Sequence, residues 1–256
     1  MASEETGRTI RIGQHVTVTT RRSRKPAANK LSTDRVVDVA IGQLRKNGYD
    51  AVTMRSIARE LGTGPASLYA HVANRAELDQ LVVGRVAAQW EIPDPDPAVW
   101  DVQLADSLKG LLAIYQENPG VARCSMGMIP TEHDLLAVTE RLLALLAAGG
   151  VPDQYCAWFV DVASLFVSSV AMEEDIWRER ASEAIAAGRD RSELEDAEVA
   201  GVRHVFETLP ADEFPLLLAM AATMTTGSGE ERFAFGVDLL VSGLKALSER
   251  AARRPG

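Results

Sequence analysis

Residues 53–75 read TMRSIARELGTGPASLYAHVANR, two short helical patterns separated by a forced break. Thr53 can cap the first helix, its hydroxyl accepting from a backbone N–H that has no partner within the helix. Ile57, Ala58 and Leu61 recur at helical spacing and form one narrow apolar stripe, suited to a short helix packed on two neighbours. Gly62 follows the last apolar position, the usual helix stop. Pro65 then fits the first position of a second helix, where a missing N–H is no loss and the fixed φ is already helical. Leu68 and Val72 lie four apart and face inward, leaving Ala66, Ser67, Tyr69, Ala70 and His71 outside. Small and hydrogen-bonding groups there, in place of the Lys and Glu of an ordinary solvated helix, suit the major groove of DNA. The stretch predicts a helix-turn-helix.

Two such helices cannot bury their apolar faces alone and need a third behind them. Residues 32–47 supply it: Ser32 as cap, then Val36, Val37, Ala40, Ile41 and Leu44 at helical spacing, with Gly48 as stop. Downstream, Asn74 and Glu77 have the spacing of a capping box and start a fourth helix. Its buried side carries Leu78, Leu81, Val82, Val86 and Trp90, and the proline-rich IPDPDP ends it.

With LYAHV preceded by TMRSIARELG and followed by NRAEL, and with Thr53, Ile57, Ala58, Leu61, Gly62, Leu68, Tyr69, His71 and Asn74 in place, residues 32–86 resemble the DNA-binding domain of the TetR family of bacterial repressors. The resemblance implies an all-helical C-terminal domain that binds a small molecule and dimerises. It also implies that Thr53, Arg55, Ser67, Tyr69, His71 and Arg75 contact DNA, mostly at phosphates, a task their hydroxyl, imidazole and guanidinium groups suit. Gly64, Pro65 and Ala66 fill the positions that read base edges in relatives. Here the chain departs from the pattern, since these three offer no side-chain hydrogen bond; base reading then rests on Ser67, on contact with thymine methyls, or on DNA shape. Tyr69 has a competing reading as a partly buried ring holding helices together, and His71 as a cap on the recognition helix.

The chain of 256 residues exceeds one typical domain. Its charge is unevenly placed: residues 1–86 hold 14 Lys and Arg against 8 Asp and Glu, a net of +6, while the remainder carries −15 of the overall −9. A basic head on an acidic body fits a phosphate-binding role that the whole-chain balance conceals. The expected fold is all-α: a basic disordered arm over 1–30, a three-helix DNA-binding domain over 31–76, and a larger helical ligand-binding and dimerisation domain over 77–256. Within the arm VTVTT offers at most a short extended piece. Arg21, Arg22, Arg24, Lys25 and Lys30 stand just before the first helix, placed for phosphates or a narrow minor groove, or serving only solubility. No apolar run approaches the roughly 18 residues that span a bilayer, and the N-terminus is too polar for a signal peptide, so a cytoplasmic location is expected. Cys124 and Cys156 form no CxxC or disulfide framework and read as reduced and buried.

Glycines and prolines divide the C-terminal part into helices over about 98–117, 132–148, 153–187, 194–207 and 230–252, with the short piece VARCSMGMIP after the first. The second, apolar nearly all round through Leu135, Leu136, Val138, Leu142, Leu143 and Leu145, is expected at the centre. In the last, Phe233, Val237, Leu240, Leu244 and Leu247 form a seam, with Gly236 and Gly243 keeping the neighbouring face low for close helix approach. With Tyr155, Phe159, Phe166, Val167 and Val170 this seam is expected to form half of an intermolecular four-helix bundle; Phe166, Val170, Gly236, Leu240, Gly243, Leu244 and Leu247 are the candidate dimer contacts. A homodimer suits operator half-sites on one face of DNA.

Candidate effector-binding residues are Trp100, Met126, Met128, Trp158, Phe159 and Phe166, any of which also reads as core. SMGMIPTEHD resembles in position the loop through which tetracycline repressors hold a magnesium–tetracycline complex, but Ser125 stands where the metal-binding histidine would be and Ile129 replaces a basic residue. Glu132, His133 and Asp134 are adjacent on a helix and so splay about 100° apart, which prevents convergence on one ion. Neither cofactor nor metal is expected. GxSxG, P-loop, GxGxxG and HExxH motifs are absent from the sequence, so an enzyme is not expected. The expected function is a ligand-responsive DNA-binding transcriptional regulator, a repressor released from double-stranded operator DNA by an unknown small molecule. The competing class is a helical small-molecule-binding or enzymatic bundle without specific DNA binding.

Overall fold

The computed structural model describes residues 9–12, 16–19 and 31–253. From residue 31 onward the described chain is helical, in eleven helices: α1 (Thr33–Asn47), α2 (Met54–Glu60), α3 (Pro65–Leu68), α4 (Arg75–Ala87), α5 (Trp100–Glu117), α6 (Val121–Ser125), α7 (His133–Ala148), α8 (Asp153–Ala186), α9 (Arg191–Glu207), α10 (Pro215–Met224) and α11 (Gly229–Ala252). Ahead of them β1 (Thr9–Ile12) pairs antiparallel with β2 (Val16–Thr19), Thr9 opposite Thr19 and Ile12 opposite Val16. These eight residues lie in the arm expected to be disordered, where VTVTT offers at most a short extended piece; β-branched residues predominate in both segments and favour a ladder. The basic residues Arg21, Arg22, Arg24, Lys25 and Lys30 lie outside the described residues.

The helix starts follow capping chemistry. Ser32 accepts from Arg35 N at 3.3 Å and Asn74 from Glu77 N at 2.9 Å. The Glu77 carboxylate reaches one residue further back than a capping box requires and accepts from Ala73 N at 2.6 Å. Such caps are each worth about 1 kcal/mol. The fourth helix stops at Ala87 rather than running to the prolines, and Trp90 folds inward, 7% exposed, its Nε1 donating to Ser107 O at 2.7 Å. The helix α10 has no counterpart in the sequence reading; its start is Pro215 at a position where proline costs nothing.

The chain divides into two compact units, one comprising residues up to Met172 together with those from Asp238 onward, the other Glu173–Val237. In the first, α4 packs on α1, α5, α6 and α7. Its core includes Val36, Leu44, Ile57, Leu68, Leu78, Leu104, Leu108, Leu145 and Leu146, each at most 1% exposed. Although α7 is apolar nearly all round, only one face is enclosed: Leu135, Leu142, Leu145 and Leu146 line its inner face, while Leu136 is 43% exposed. In the second unit α9 packs on α10, and Arg203 Nε donates to Thr225 Oγ1 at 2.7 Å, tying α9 to the end of α10.

Asp153–Ser182 of α8 is long and apolar enough, by length and composition, to cross a bilayer, which the sequence reading had not expected of any segment. Its inner face carries Cys156, Phe159, Ala163, Val167 and Ala171, all buried, and Trp158, Val162 and Leu165 are exposed. A helix with one apolar face inside and another awaiting a partner subunit has the same composition.

Candidate nucleic-acid interface

A reciprocal capping box starts α2: Ser56 N donates to Thr53 Oγ1 at 3.0 Å and Thr53 N to Ser56 Oγ at 2.9 Å. Ser56 Oγ also lies 2.7 Å from Gln43 Oε1, and Gln43 Nε2 donates to Glu60 Oε2 at 2.6 Å. Gln43 is 7% exposed, so one buried amide of α1 holds both ends of α2. An amide supplies donor and acceptor together, which an apolar residue at this place could not.

The recognition segment is shorter in regular helix than expected. After Gly64 as N-cap, α3 spans four residues, and Leu68 O then accepts from His71 N at 2.8 Å and Val72 N at 2.9 Å, carrying helical bonding one turn further. Leu68 and Val72 are fully buried. Thr33 Oγ1 donates to His71 O at 3.3 Å and pins the end of the segment to the start of α1. Gly64, Pro65, Ala66, Ser67 and Ala70 are exposed, Tyr69 is 54% exposed, and His71 is half-buried. Thr53 and Arg55 are exposed beside them. About half of Tyr69 is open to solvent, and His71 anchors the helix end through its carbonyl oxygen.

Arg75 departs from its expected role. Its Nε donates to Asp79 Oδ1 at 2.7 Å, its Nη1 to Val52 O, and its guanidinium lies 4.1 Å over the Tyr49 ring. Tyr49 Oη donates to Asp79 Oδ2 at 3.1 Å. Burial works against the charge of Arg75, yet its hydrogen bond and ion pair with Asp79 outweigh it and hold the group protonated above its usual range. Asp79 pulls this guanidinium inward, so Arg75 joins α4 to the turn before α2 instead of extending toward a phosphate. Burial, then Asp79, raises Tyr49 above the usual phenol range, and burial pushes the neighbouring Cys124 thiol far up. A thiol so held is inert.

Further links join these head helices to the segments that follow. Arg45 donates to Asn118 Oδ1, and Asn118, 1% exposed, donates to Ile114 O at 2.7 Å. Leu44 packs against Gly120, which has φ +83 and where a Cβ would meet Leu44 Cδ2 at 3.4 Å. Arg123 pairs with Asp50 at 3.1 Å, an exposed pair of small energetic weight. Arg85 on α4 reaches back to Asp34 and to Asp38, the latter at 2.8 Å. The sequence reading missed the buried polar residues Gln43, Asp79 and Asn118. Gln43, between the apolar Ile41 and Leu44, carried the one visible signal.

The expected effector residues differ widely in exposure. Trp100 is 8% exposed and lies on the backbone of Gly149; Phe159 is 6% exposed. Met126 is 40% exposed, Met128 and Phe166 are half-buried, and Trp158, 60% exposed, stacks on Tyr155 with centroids 6.1 Å apart. Inside, Ser125 Oγ lies 2.9 Å from Ser168 Oγ, and both hydroxyls hydrogen-bond to Tyr115, whose phenol burial raises. Ser168 and Tyr115 are 2% and 4% exposed. Ser125, at the place of a metal-binding histidine in tetracycline repressors, is thus engaged with hydroxyls, and Ile129 is 69% exposed. His133 Nδ1 lies 3.4 Å from Asp134 Oδ1 on the surface.

On α11 the seam read as intermolecular is split: part of it packs within the protomer, while Gly243 and Leu247 stay exposed. Phe233, Val237 and Leu244 are 3%, 0% and 5% exposed, and Leu240 and Gly236 are half-buried. Val167 is fully buried and Phe166 and Val170 are half-buried. Exposed apolar residues on α11 include Phe235, Leu239 and Leu247, with Gly243 open between the last two, and on α8 Trp158, Val162 and Leu165. Both faces of α11 are apolar, and helical spacing alone does not say which one the protomer uses.

Residues 36–79, the capped helix-turn-helix with its supporting helices, match the family described as bacterial regulatory proteins, tetR family, and residues 92–248 match the tetracyclin repressor-like C-terminal domain. The chain belongs to the TetR family. It is a ligand-responsive, DNA-binding transcriptional regulator that acts on operator DNA as a homodimer. Among TetR relatives, the HTH-type transcriptional repressor DrrR1 of Streptomyces coeruleorubidus is 26% identical over 90% of this chain and 83% of its own. The class D tetracycline repressor protein of Escherichia coli is 28% identical over 84% of this chain and 90% of its own. The structure of apo ActR from Streptomyces coelicolor superposes with a TM-score of 0.74 at 32% identity, covering 88% of this chain and all of ActR. ActR has also been solved in complex with actinorhodin, with a TM-score of 0.74, 32% identity and coverage of 86% and 99%. The TetR head of this chain therefore has its recognition face exposed and its supports buried, as a DNA reader requires.

Proposed function

We propose that this regulator is a cytoplasmic repressor without catalytic activity, whose dimer seats two α3 segments in successive major grooves and leaves the operator when a small molecule binds the C-terminal domain. The observation that carries this reading is the exposed face of residues 64–71, bare of acidic groups and held rigid by Thr33, Gln43 and the Thr53–Ser56 capping box. Thr53, Arg55, Ser67, Tyr69 and His71 are the phosphate-side contacts, and Gly64, Pro65 and Ala66 approach the bases closely without hydrogen-bonding them. Sequence preference then rests on Ser67, on apolar contact with thymine methyls and on DNA shape. Arg75 serves the head from inside. The division into a DNA-binding domain over 31–76 and an effector and dimerisation domain over 77–256 belongs to the same reading, as does a dimer face on Trp158, Val162, Leu165, Leu239 and Leu247 around Gly243.

The interior hydroxyl cluster of Tyr115, Ser125 and Ser168 supports an effector that carries hydrogen-bonding groups, bound among the helices of the C-terminal domain. Selection of duplexes from random DNA by the purified protein tests the proposal. A recovered twofold-symmetric consensus with half-sites about one helical turn apart is expected. Binding that is equal for all duplexes at low salt would refute it.

A further inference from the structure

One side chain on α4 ties the head to the effector domain through three hydrogen bonds. Gln80 Oε1 accepts from Thr131 N at 2.9 Å, Thr131 Oγ1 at 2.8 Å and Glu132 N at 3.2 Å. These donors stand at the start of α7, where the first backbone N–H groups of a helix lack partners of their own. One turn further along α4, a Cβ at Gly84 would meet Asp134 Cβ and Leu135 Cγ at 3.7 Å, so the two helices approach closely on this side. On the side toward the head, Arg75 to Val52 O, Tyr49 to Asp79, and Arg85 to Asp34 and Asp38 lock α4 to α1 and to the turn before α2. Head and α4 thus form one body, and Gln80 joins that body to α7.

We propose that Gln80 is a positioning residue for operator binding: its carbonyl oxygen latches α4 to Thr131 and Glu132 and so sets the angle at which the head is presented. The latch rests on the reading of the chain as an operator-binding dimer and adds the element through which the effector domain sets head spacing. Residues 126–130 lead from α6 straight into it. Gly127 in that strap has φ +69 with open space around it, and Ile129 is 69% exposed. Any ligand that redraws the strap displaces Thr131 from Gln80. With the acceptor lost, α4 keeps its hold on the head and loses its hydrogen-bonded register on α7.

The test uses the full-length dimer carrying a nitroxide on Arg59→Cys, an exposed site on α2, in a Cys124→Ala, Cys156→Ala background that removes the two buried native thiols. Head-to-head distances are measured by pulsed electron resonance without DNA. Gln80→Met keeps side-chain length and helix propensity but removes the acceptor; a broadened or displaced distance distribution is expected. Thr131→Val, which deletes one donor, should broaden it less, and Thr131→Ser, which keeps the donor, should restore the parent distribution. For the duplex selected by the parent protein, Gln80→Met should weaken binding about tenfold with an unchanged dependence on salt, because the phosphate contacts are untouched. Parent-like distances and parent-like affinity in Gln80→Met would overturn the latch, even if the variant melted at a lower temperature. Failure of the parent protein to select any duplex would instead overturn the operator-binding reading, and the distance measurement would still judge the latch.

Discussion

Gly149→Ala is expected to destabilise the protein although the backbone there welcomes alanine. Gly149 has φ −74 and ψ −1, an ordinary helical conformation. On backbone entropy alone the substitution would stabilise by about 0.4–1 kcal/mol. A Cβ at that position, however, would lie 2.3 Å from Trp100 Cδ2, 2.6 Å from Cε2 and 2.7 Å from Cγ. Carbon atoms pack best at about 3.5–4.0 Å, so the indole has to retreat by more than ~1 Å. Trp100 is 8% exposed and begins α5, so the ring moves only with its helix or by leaving the core. Overpacking of this kind costs about 1–3 kcal/mol, and with a clash this close the upper half of that range, about 2–3 kcal/mol, less the entropic gain leaves a net loss of about 1–2.6 kcal/mol. Each kcal/mol corresponds to a fall in Tm of about 2–4 °C for a chain near this size. Chemical unfolding followed by circular dichroism, at one fixed protein concentration because the dimer couples stability to concentration, measures the loss. In a Trp100→Ala background the clash disappears and Gly149→Ala should become neutral or stabilising. A single variant as stable as the parent, or an equal loss in both backgrounds, would refute the packing argument and reopen Trp100 as a residue facing an effector.

Two further expectations separate residues that look alike in sequence. Arg55→Ala should lower the salt dependence of operator binding, the slope of log K against log salt falling by about 1 as one phosphate contact is lost. Arg75→Met should leave that slope unchanged and instead lower thermal stability, since its guanidinium is committed to Asp79 and Val52; a reduced slope in this variant would return Arg75 to the DNA face. Asp101 is held below the ordinary carboxylate range, chiefly by its hydrogen bond from Lys245 at 2.6 Å. A depressed carboxyl contributes stability above its unfolded pKa and loses it as pH falls through the folded one. Lys245→Met should therefore flatten the stability profile below about pH 4 without altering operator affinity at neutral pH, as read by melting curves across pH.

The head was legible because its signals are local. Ser32, Thr53, Gly62, Pro65 and Asn74 act on backbone groups within a few residues of themselves, and all of the first four helices begin where these residues place them. Arg75 was misread because a guanidinium at the first position of a helix suits phosphate equally well until Asp79, Tyr49 and Val52 are known to surround it. The seam of α11 was legible only as a set, for a related reason: its apolar stripes have equal helical spacing, and only the packed protomer shows that Phe233, Val237 and Leu244 are used internally while Leu247 stays exposed. The effector candidates could not be sorted from sequence because Trp100 and Trp158 are chemically alike, yet one is closed off by Gly149 and the other faces outward.

By itself the sequence determined the helical class from residue 31 onward, the helix-turn-helix with its capping residues and bare leading positions, and the charge division between head and body. Those properties follow from periodicity, local hydrogen bonding and composition, which are written along the chain. Tertiary structure alone decided which polar groups meet: Gln43 with Ser56 and Glu60, Arg45 with Asn118, and Gln80 with Thr131 and Glu132. Partners up to 73 residues apart are brought together by the packing of whole helices, and a side chain's own neighbours in sequence carry no record of them.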